Sequence, residues 1–143
     1  MSYKGKFKPR NYQKYKGDPT NIVYRSLLER RFMVYCDEKP WVLEWSSEEI
    51  VVPYKSPIDN RWHRYFVDFW IKYRKSNNEI KTLLIEIKPD SQTRQPVKKE
   101  KVTRRFLTEV QTWGINQAKW KAASEYCLDR NWEFKILTEK DLR

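Results

Sequence analysis

Two runs of this chain hold the residues best suited to chemistry. RYFVDFWIKY (64–73) carries a single acid, Asp68, among aromatic and aliphatic neighbours, and LLIEIKP (83–89) ends an otherwise apolar stretch with Glu86 and Lys88. Alternate residues of a strand share a face, so Glu86 and Lys88 project together while Ile85 and Ile87 point to the other side. Between the runs, Ser76, Asn77 and Asn78 signal a tight turn. With the turn centred on Asn77, antiparallel pairing sets Asp68 opposite Glu86. Facing Cβ atoms lie roughly 5 Å apart, and two carboxylates that close repel unless something positive lies between them. A divalent metal is the economical answer. Mg²⁺, or Mn²⁺ in its place, takes one or two carboxylates, several waters and phosphate oxygens. Lys88 alongside is placed to hold an attacking water or to neutralise charge developing on a phosphate. The chemistry expected is hydrolysis of a phosphodiester. The same residues also admit a plainer reading, an exposed strand face on which Asp68 is the cross-strand ion partner of Lys88, worth less than ~1 kcal/mol.

A third acid bears on the choice. In YRSLLERRF, Glu29 falls within a helical pattern, and a helix packed across the sheet would bring its carboxylate to the same metal. Ser26-x-x-Glu29 also spells a capping box, in which Glu29 bonds back to the helix start.

These acids need elements to hold them. A helix is expected from just before Leu27 to about Cys36, with Leu28, Phe32 and Tyr35 on its buried side. Glu49 to Tyr54 reads as one strand, Arg64 to Tyr73 as a second and LLIEIKP as a third, which suggests an antiparallel meander. Asp90 to Pro96 is polar and loose. Val102, Phe106, Val110 and Trp113 follow a helical period through a basic stretch. Beyond Gly114 a second helix is expected from about Asn116 to Asp129, then a strand from Trp132 to Leu137 added parallel to the sheet, the usual outcome of a helical crossover. Thr138 to Asp141 resembles the cap of a short terminal helix.

The 143 residues suit a single nuclease-sized domain (21–143) preceded by a basic arm (1–20). There are 30 Lys plus Arg against 19 Asp plus Glu, a formal net charge of +11, which points to a polyanionic partner. No run approaches the ~20 apolar residues of a membrane span, so a membrane partner is not expected. Cys36 and Cys127 read as buried thiols of a reducing compartment in a protein that is not secreted, and one histidine, His63, leaves too few ligands for structural zinc. The first seventeen residues carry six cations and no acid, with Tyr3, Phe7, Tyr12 and Tyr15 interleaved. Such an arm, read as flexible, suits phosphate contact through Lys4, Lys6, Lys8, Arg10, Lys14 and Lys16, or docking on a protein partner. Arg64 and the cluster Lys98, Lys99, Lys101, Arg104 and Arg105 extend the cationic set. Gln117 and Lys119 of NQAKW either reach phosphate or the site, or belong to a solvated helix face.

Taken in order, RSLLERRF, RYFVDFWI, LIEIKP and NQAKWKAASEYC resemble the blocks of the PD-(D/E)xK nuclease superfamily, in its branch containing the endonuclease subunit of a cut-and-paste transposase. The likeness covers about Tyr24 to Leu137. In length, basic arm and block order the chain is similar, more narrowly, to the head-completion nucleases of T-even bacteriophages. The resemblance implies an α/β, restriction-endonuclease-like core: a helix, a three-stranded meander, a helix and a parallel strand, with the extra basic helix and the arm added. It further implies a Mg²⁺ site formed by Asp68, Glu86, Glu29 and the carbonyl of Ile87, with Lys88 at the reacting water. Double-stranded DNA or DNA ends would be the substrate, phage portal or neck proteins the partners, and host cytoplasm and virion the location. A repair or junction-resolving nuclease, or a non-catalytic DNA-binding virion component, are the alternatives. One departure is Val67, which stands where many members of the superfamily have proline.

Overall fold

The chain turns helical at Ser26, whose Oγ accepts the Glu29 N–H at 3.1 Å and so satisfies one of the amides a helix start leaves unpaired. Helix α1 (Leu27–Glu38) follows, with Phe32, Met33 and Cys36 buried. The computed structural model of the chain describes residues 4–142, so Tyr3 of the arm lies outside them.

Downstream of α1 the chain builds a four-stranded sheet from β3 (Val42–Ser47), β6 (Phe69–Arg74), β7 (Ile80–Ile87) and β8 (Glu133–Leu137), in the order β3-β6-β7-β8. The first three are antiparallel neighbours, and β8 lies parallel to β7. Strand alternation divides the core in two. Phe69, Ile71, Leu83, Ile85 and Ile87 pack with α1, whereas Leu84 packs with Trp120, Ala123 and Cys127 of α2 (Arg104–Asp129). The mixed α/β architecture expected from the sequence is present, with one helix on each sheet face.

The meander is composed differently from its expected form. Val42–Ser47, not read as a strand, holds the first position, and RYFVDFWIKY is two strands rather than one. β5 (Trp62–Phe66) pairs with β4 (Val51–Lys55) in a separate two-stranded sheet. The switch falls at Val67 and Asp68. The Val67 N–H still donates to Ile50 O at 3.1 Å, while the Asp68 carbonyl accepts the Glu48 N–H at 3.1 Å, after which Phe69 pairs with Ser47 and Ile85. A change of partner within one hydrophobic run leaves no local signal, because both halves keep the period of 2.

Two helical expectations also change. Gly114 ends nothing: α2 runs from Arg104 to Asp129 as one helix, capped by Thr103 Oγ1, which accepts the Phe106 N–H at 3.1 Å. An interior glycine costs about 1 kcal/mol, too little to end a helix that Asn116, Trp120, Ala123 and Cys127 anchor in the core beyond it. Lys98, Lys99, Lys101 and Val102 therefore precede the helix, and Val102 and Val110 are exposed rather than core-facing. At the other end, Thr138–Asp141 closes a turn in which Asp141 Oδ2 accepts the Thr138 N–H at 2.8 Å, and no helix follows among the described residues.

The basic arm, from Lys4 onward, is built into the body. β1 (Gly5–Phe7) pairs antiparallel with β2 (Ile22–Tyr24), and Phe7 and Tyr15 are buried edge-on against Trp45, with centroids 5.9 and 4.8 Å away. The flexible reading fails because Phe7 and Tyr15 of its interleaved aromatics serve the core, while Lys4, Lys6, Lys8 and Lys16 stay exposed around them.

Candidate active site

The β6–β7 hairpin turns at Asn78, in the left-handed region at φ 70°, and its register pairs Phe69 with Ile85 and Trp70 with Leu84. Asp68 therefore sits one residue before β6, across from Glu86. Asp68 Oδ2 accepts the Ile87 N–H at 2.8 Å. Glu86, only 4% exposed, has Oε2 held by two donors, Tyr65 Oη at 2.8 Å and Trp120 Nε1 at 3.0 Å. Apart from the hydrogen bond between the two carboxyls themselves, no protein donor reaches Asp68 Oδ1 or Glu86 Oε1 among the described contacts. The Asp68 carboxyl is pushed well above the ordinary carboxylate range, first by burial, then by its hydrogen bond to Glu86 and by the Glu86 charge. The Ile87 N–H opposes the shift and Glu29 adds to it.

Glu29 reaches one residue past the Ser26 cap rather than to the cap's own N–H, so only half of the capping box forms. Its Oε2 accepts the Arg25 N–H at 2.7 Å, yet burial raises its pKa despite that bond, with the charges of Glu48 and Glu86 contributing. The acid thus stands within the field of the pair. Arg25 is held at the same edge by Glu48, at 2.9 and 3.1 Å. Lys88 is half-buried beyond Glu86, its N–H donating to Leu137 O at 3.0 Å. No ion pair joins Lys88 to Asp68 or Glu86 among the described residues, so the exposed ion-pair reading of this strand face does not describe it. The Ile87 side chain is in the core, and only its backbone is available to a ligand.

On α2 the phase is settled by burial. Asn116, Trp120, Ala123 and Cys127 face inward, Gln117 is exposed, and Lys119 flanks the site with Nζ 5.5 Å from the Tyr65 ring centre and 5.8 Å from that of Tyr54. Tyr65 and Trp120 were the site residues invisible in the sequence. The one signal was chemical, since a Trp on a buried helix face needs an acceptor for its N–H. Of the cations, Lys4, Lys6, Lys8, Arg10, Arg64, Lys98, Lys99, Lys101, Arg104 and Arg105 are exposed. Lys14 Nζ instead donates to the carbonyls of Asp37 at 3.1 Å and Lys39 at 2.9 Å, while Lys16 is exposed and pairs at the surface with Glu44 at 2.8 Å.

No three His, Cys, Asp or Glu side chains converge to hold a metal ion among the described residues. The two-carboxylate pair still fits a hard cation. Each member presents one oxygen to which no other protein group donates, and their mutual repulsion is the term that a bound divalent charge removes.

A mixed sheet with one helix on each face, and an Asp–Glu pair at the sheet's end with a lysine two residues on, define a restriction-endonuclease-like domain of PD-(D/E)xK type. The chain belongs to the TnsA-like endonuclease N-terminal family, whose model matches residues 39–139. That span includes Asp68, Glu86, Lys88 and α2 but not Glu29. The chain is also similar to the head completion nuclease of Enterobacteria phage T4, at 41% identity over 147 residues covering all of this chain and 95% of that protein.

Proposed function

We propose that this protein is a Mg²⁺-dependent DNA endonuclease that trims the packaged end of a phage genome during head completion, before tail attachment. The observation that carries the reading is the facing of two carboxyls, half-buried Asp68 and buried Glu86, each keeping one oxygen to which no other protein group donates. Asp68 Oδ1, Glu86 Oε1 and the Ile87 carbonyl would hold the metal, with Glu29 reaching it through water. When bound, Mg²⁺ or Mn²⁺ makes a coordinated water acidic and draws charge from a phosphate oxygen. The Lys88 ammonium orients the attacking water and stabilises the negative charge that grows on the phosphoryl oxygens. The water oxygen bonds to phosphorus, the bond from phosphorus to the leaving strand oxygen breaks, and that oxygen takes up a proton. The exposed cations hold phosphates without reading sequence, so affinity falls steeply as salt rises. Portal or neck proteins of the virion are the protein partners of this reading, and virion and host cytoplasm its location. No helix among the described residues is long and apolar enough to cross a membrane.

The test is Mg²⁺-dependent cleavage of a panel of blunt, tailed, flapped, mismatched and four-way-junction DNA, with Asp68→Asn protein in parallel. Cutting by wild-type protein that is lost in the variant, with DNA binding retained, supports the proposal. Binding without cutting on every substrate would turn the reading to a non-catalytic DNA-binding component, and cutting confined to junctions would turn it to a resolving nuclease.

A further inference from the structure

The β4–β5 hairpin has two unlike faces. Tyr65 and Tyr54 point inward to the site. The outward positions of β5 are Trp62, Arg64 and Phe66, and all three are exposed, Trp62 at 70% and Phe66 at 46%. Across the ladder they face Lys55, Pro53 and Val51. The Arg64 guanidinium lies 5.2 Å from the Phe66 ring centre, and neither Arg64 nor Lys55 has an acidic partner among the described residues. Large aromatics held in the open beside unpaired cations are not explained by the core, to which this face contributes nothing.

The strand also has a direction. It leads through Phe66 and Val67 to the bend at Asp68, so along the chain Phe66 is two residues from the site, at most about 7 Å, and Trp62 six residues, at most about 20 Å. We propose that this face is a stacking platform for an unpaired stretch of the DNA strand that enters the site. Aromatic rings and a guanidinium plane stack on bases of any sequence, and Lys55 and Arg64 neutralise the accompanying phosphates. In a duplex the base faces already stack on one another and are closed to such contact. The substrate is therefore a DNA end or junction with single-stranded character beside the cut. A protein occupant would leave the charge of this face unexplained unless it were itself acidic, and it has no reason to sit on the strand that leads to Asp68.

This inference rests on the proposed nuclease reading but can fail separately. Fluorescence anisotropy in EDTA, which prevents cutting, compares labelled blunt duplex with the same duplex carrying a six-nucleotide oligo-dT tail. Wild-type protein should bind the tailed DNA about tenfold more tightly, the scale expected for stacking one or two bases. The double variant Trp62→Ala/Phe66→Ala should lose that preference while keeping its affinity for blunt duplex and its circular dichroism, and Trp62→Phe should retain most of it. Equal wild-type affinity for the two DNAs, or a preference that survives in the folded double variant, overturns the platform and leaves the face to a protein. Tail preference without Mg²⁺-dependent cutting would sink the nuclease reading and spare the platform as a DNA-binding surface.

Discussion

Asp37 and Glu86 are buried almost equally, at 2% and 4% exposure, yet the two carboxylates do opposite work. Both oxygens of Asp37 are satisfied by backbone, accepting the N–H groups of Arg10 at 2.8 Å and Asn11 at 2.9 Å. Asn11 Nδ2 and Lys14 Nζ then bond the Asp37 carbonyl, at 2.8 and 3.1 Å. The result is a latch that ties the amino-terminal strap to the end of α1. At the hairpin, Glu86 has one oxygen doubly bonded and one bare, and its neighbour is another acid. Burial alone does not mark a functional carboxylate. What marks it is a second carboxyl held against it, a like charge that a bound cation relieves.

The sharpest way to break this comparison is to neutralise each acid. Asp68→Asn should lower Mg²⁺-dependent cleavage by about 10³-fold, the range for losing one preorganised electrostatic group, with duplex affinity unchanged. Residual cutting within tenfold of wild type would mean that the pair is not the metal site. Asp37→Ala should do the converse. It leaves two part-buried N–H groups unpaired, at a cost of about 2 kcal/mol, so the melting temperature should drop by roughly 6 °C with cleavage per folded molecule preserved.

Smaller changes sharpen the contrast within the site. Tyr65→Phe removes one of the two donors that orient Glu86 and should weaken Mn²⁺ binding, read by calorimetry, by about 10- to 100-fold. An unchanged affinity would show that Trp120 alone orients the carboxylate. Glu29→Gln can still accept the Arg25 N–H, so stability should stay within about 1 kcal/mol, while cleavage falls by about tenfold through loss of the third negative charge. A larger loss of stability than of activity would make Glu29 a cap and nothing more.

The smallest effect expected is one of stability. A carboxyl raised in the folded state contributes stability below its ordinary pKa of 3.8 and loses it as pH rises through the folded value, and Asp68 is raised in this way. Without metal, Asp68→Asn should therefore melt a few degrees above wild type at neutral pH. The gap should narrow as pH falls towards 4 and shrink when Mg²⁺ is added. A variant less stable than wild type in EDTA would contradict the repulsion assigned to the pair.

Legibility in the sequence followed the range of the interaction. The facing of Asp68 and Glu86 could be read because strand alternation and an Asn-rich turn are local, and Ser26 announced α1 for the same reason. β3 escaped because VLEWSS mixes Glu44 and two serines into a half-buried strand, and the helix break expected at Gly114 failed because the glycine's cost of about 1 kcal/mol is small beside the packing of the turns that follow it. The strap was misread because Phe7 and Tyr15 look like stacking residues until Trp45 is known to cover them.

By itself, then, the sequence determined the residues of the acid pair, their register and the helix start beside them, all set by periodicity and caps within one element or one turn. The tertiary structure alone decided which oxygens of that pair stay open, since the donors that hold Glu86 come from 21 and 34 residues away. It also decided which face of α2 turns inward and where RYFVDFWIKY changes partners. Contacts of that range are selected by how whole elements pack, and no short window of sequence contains them.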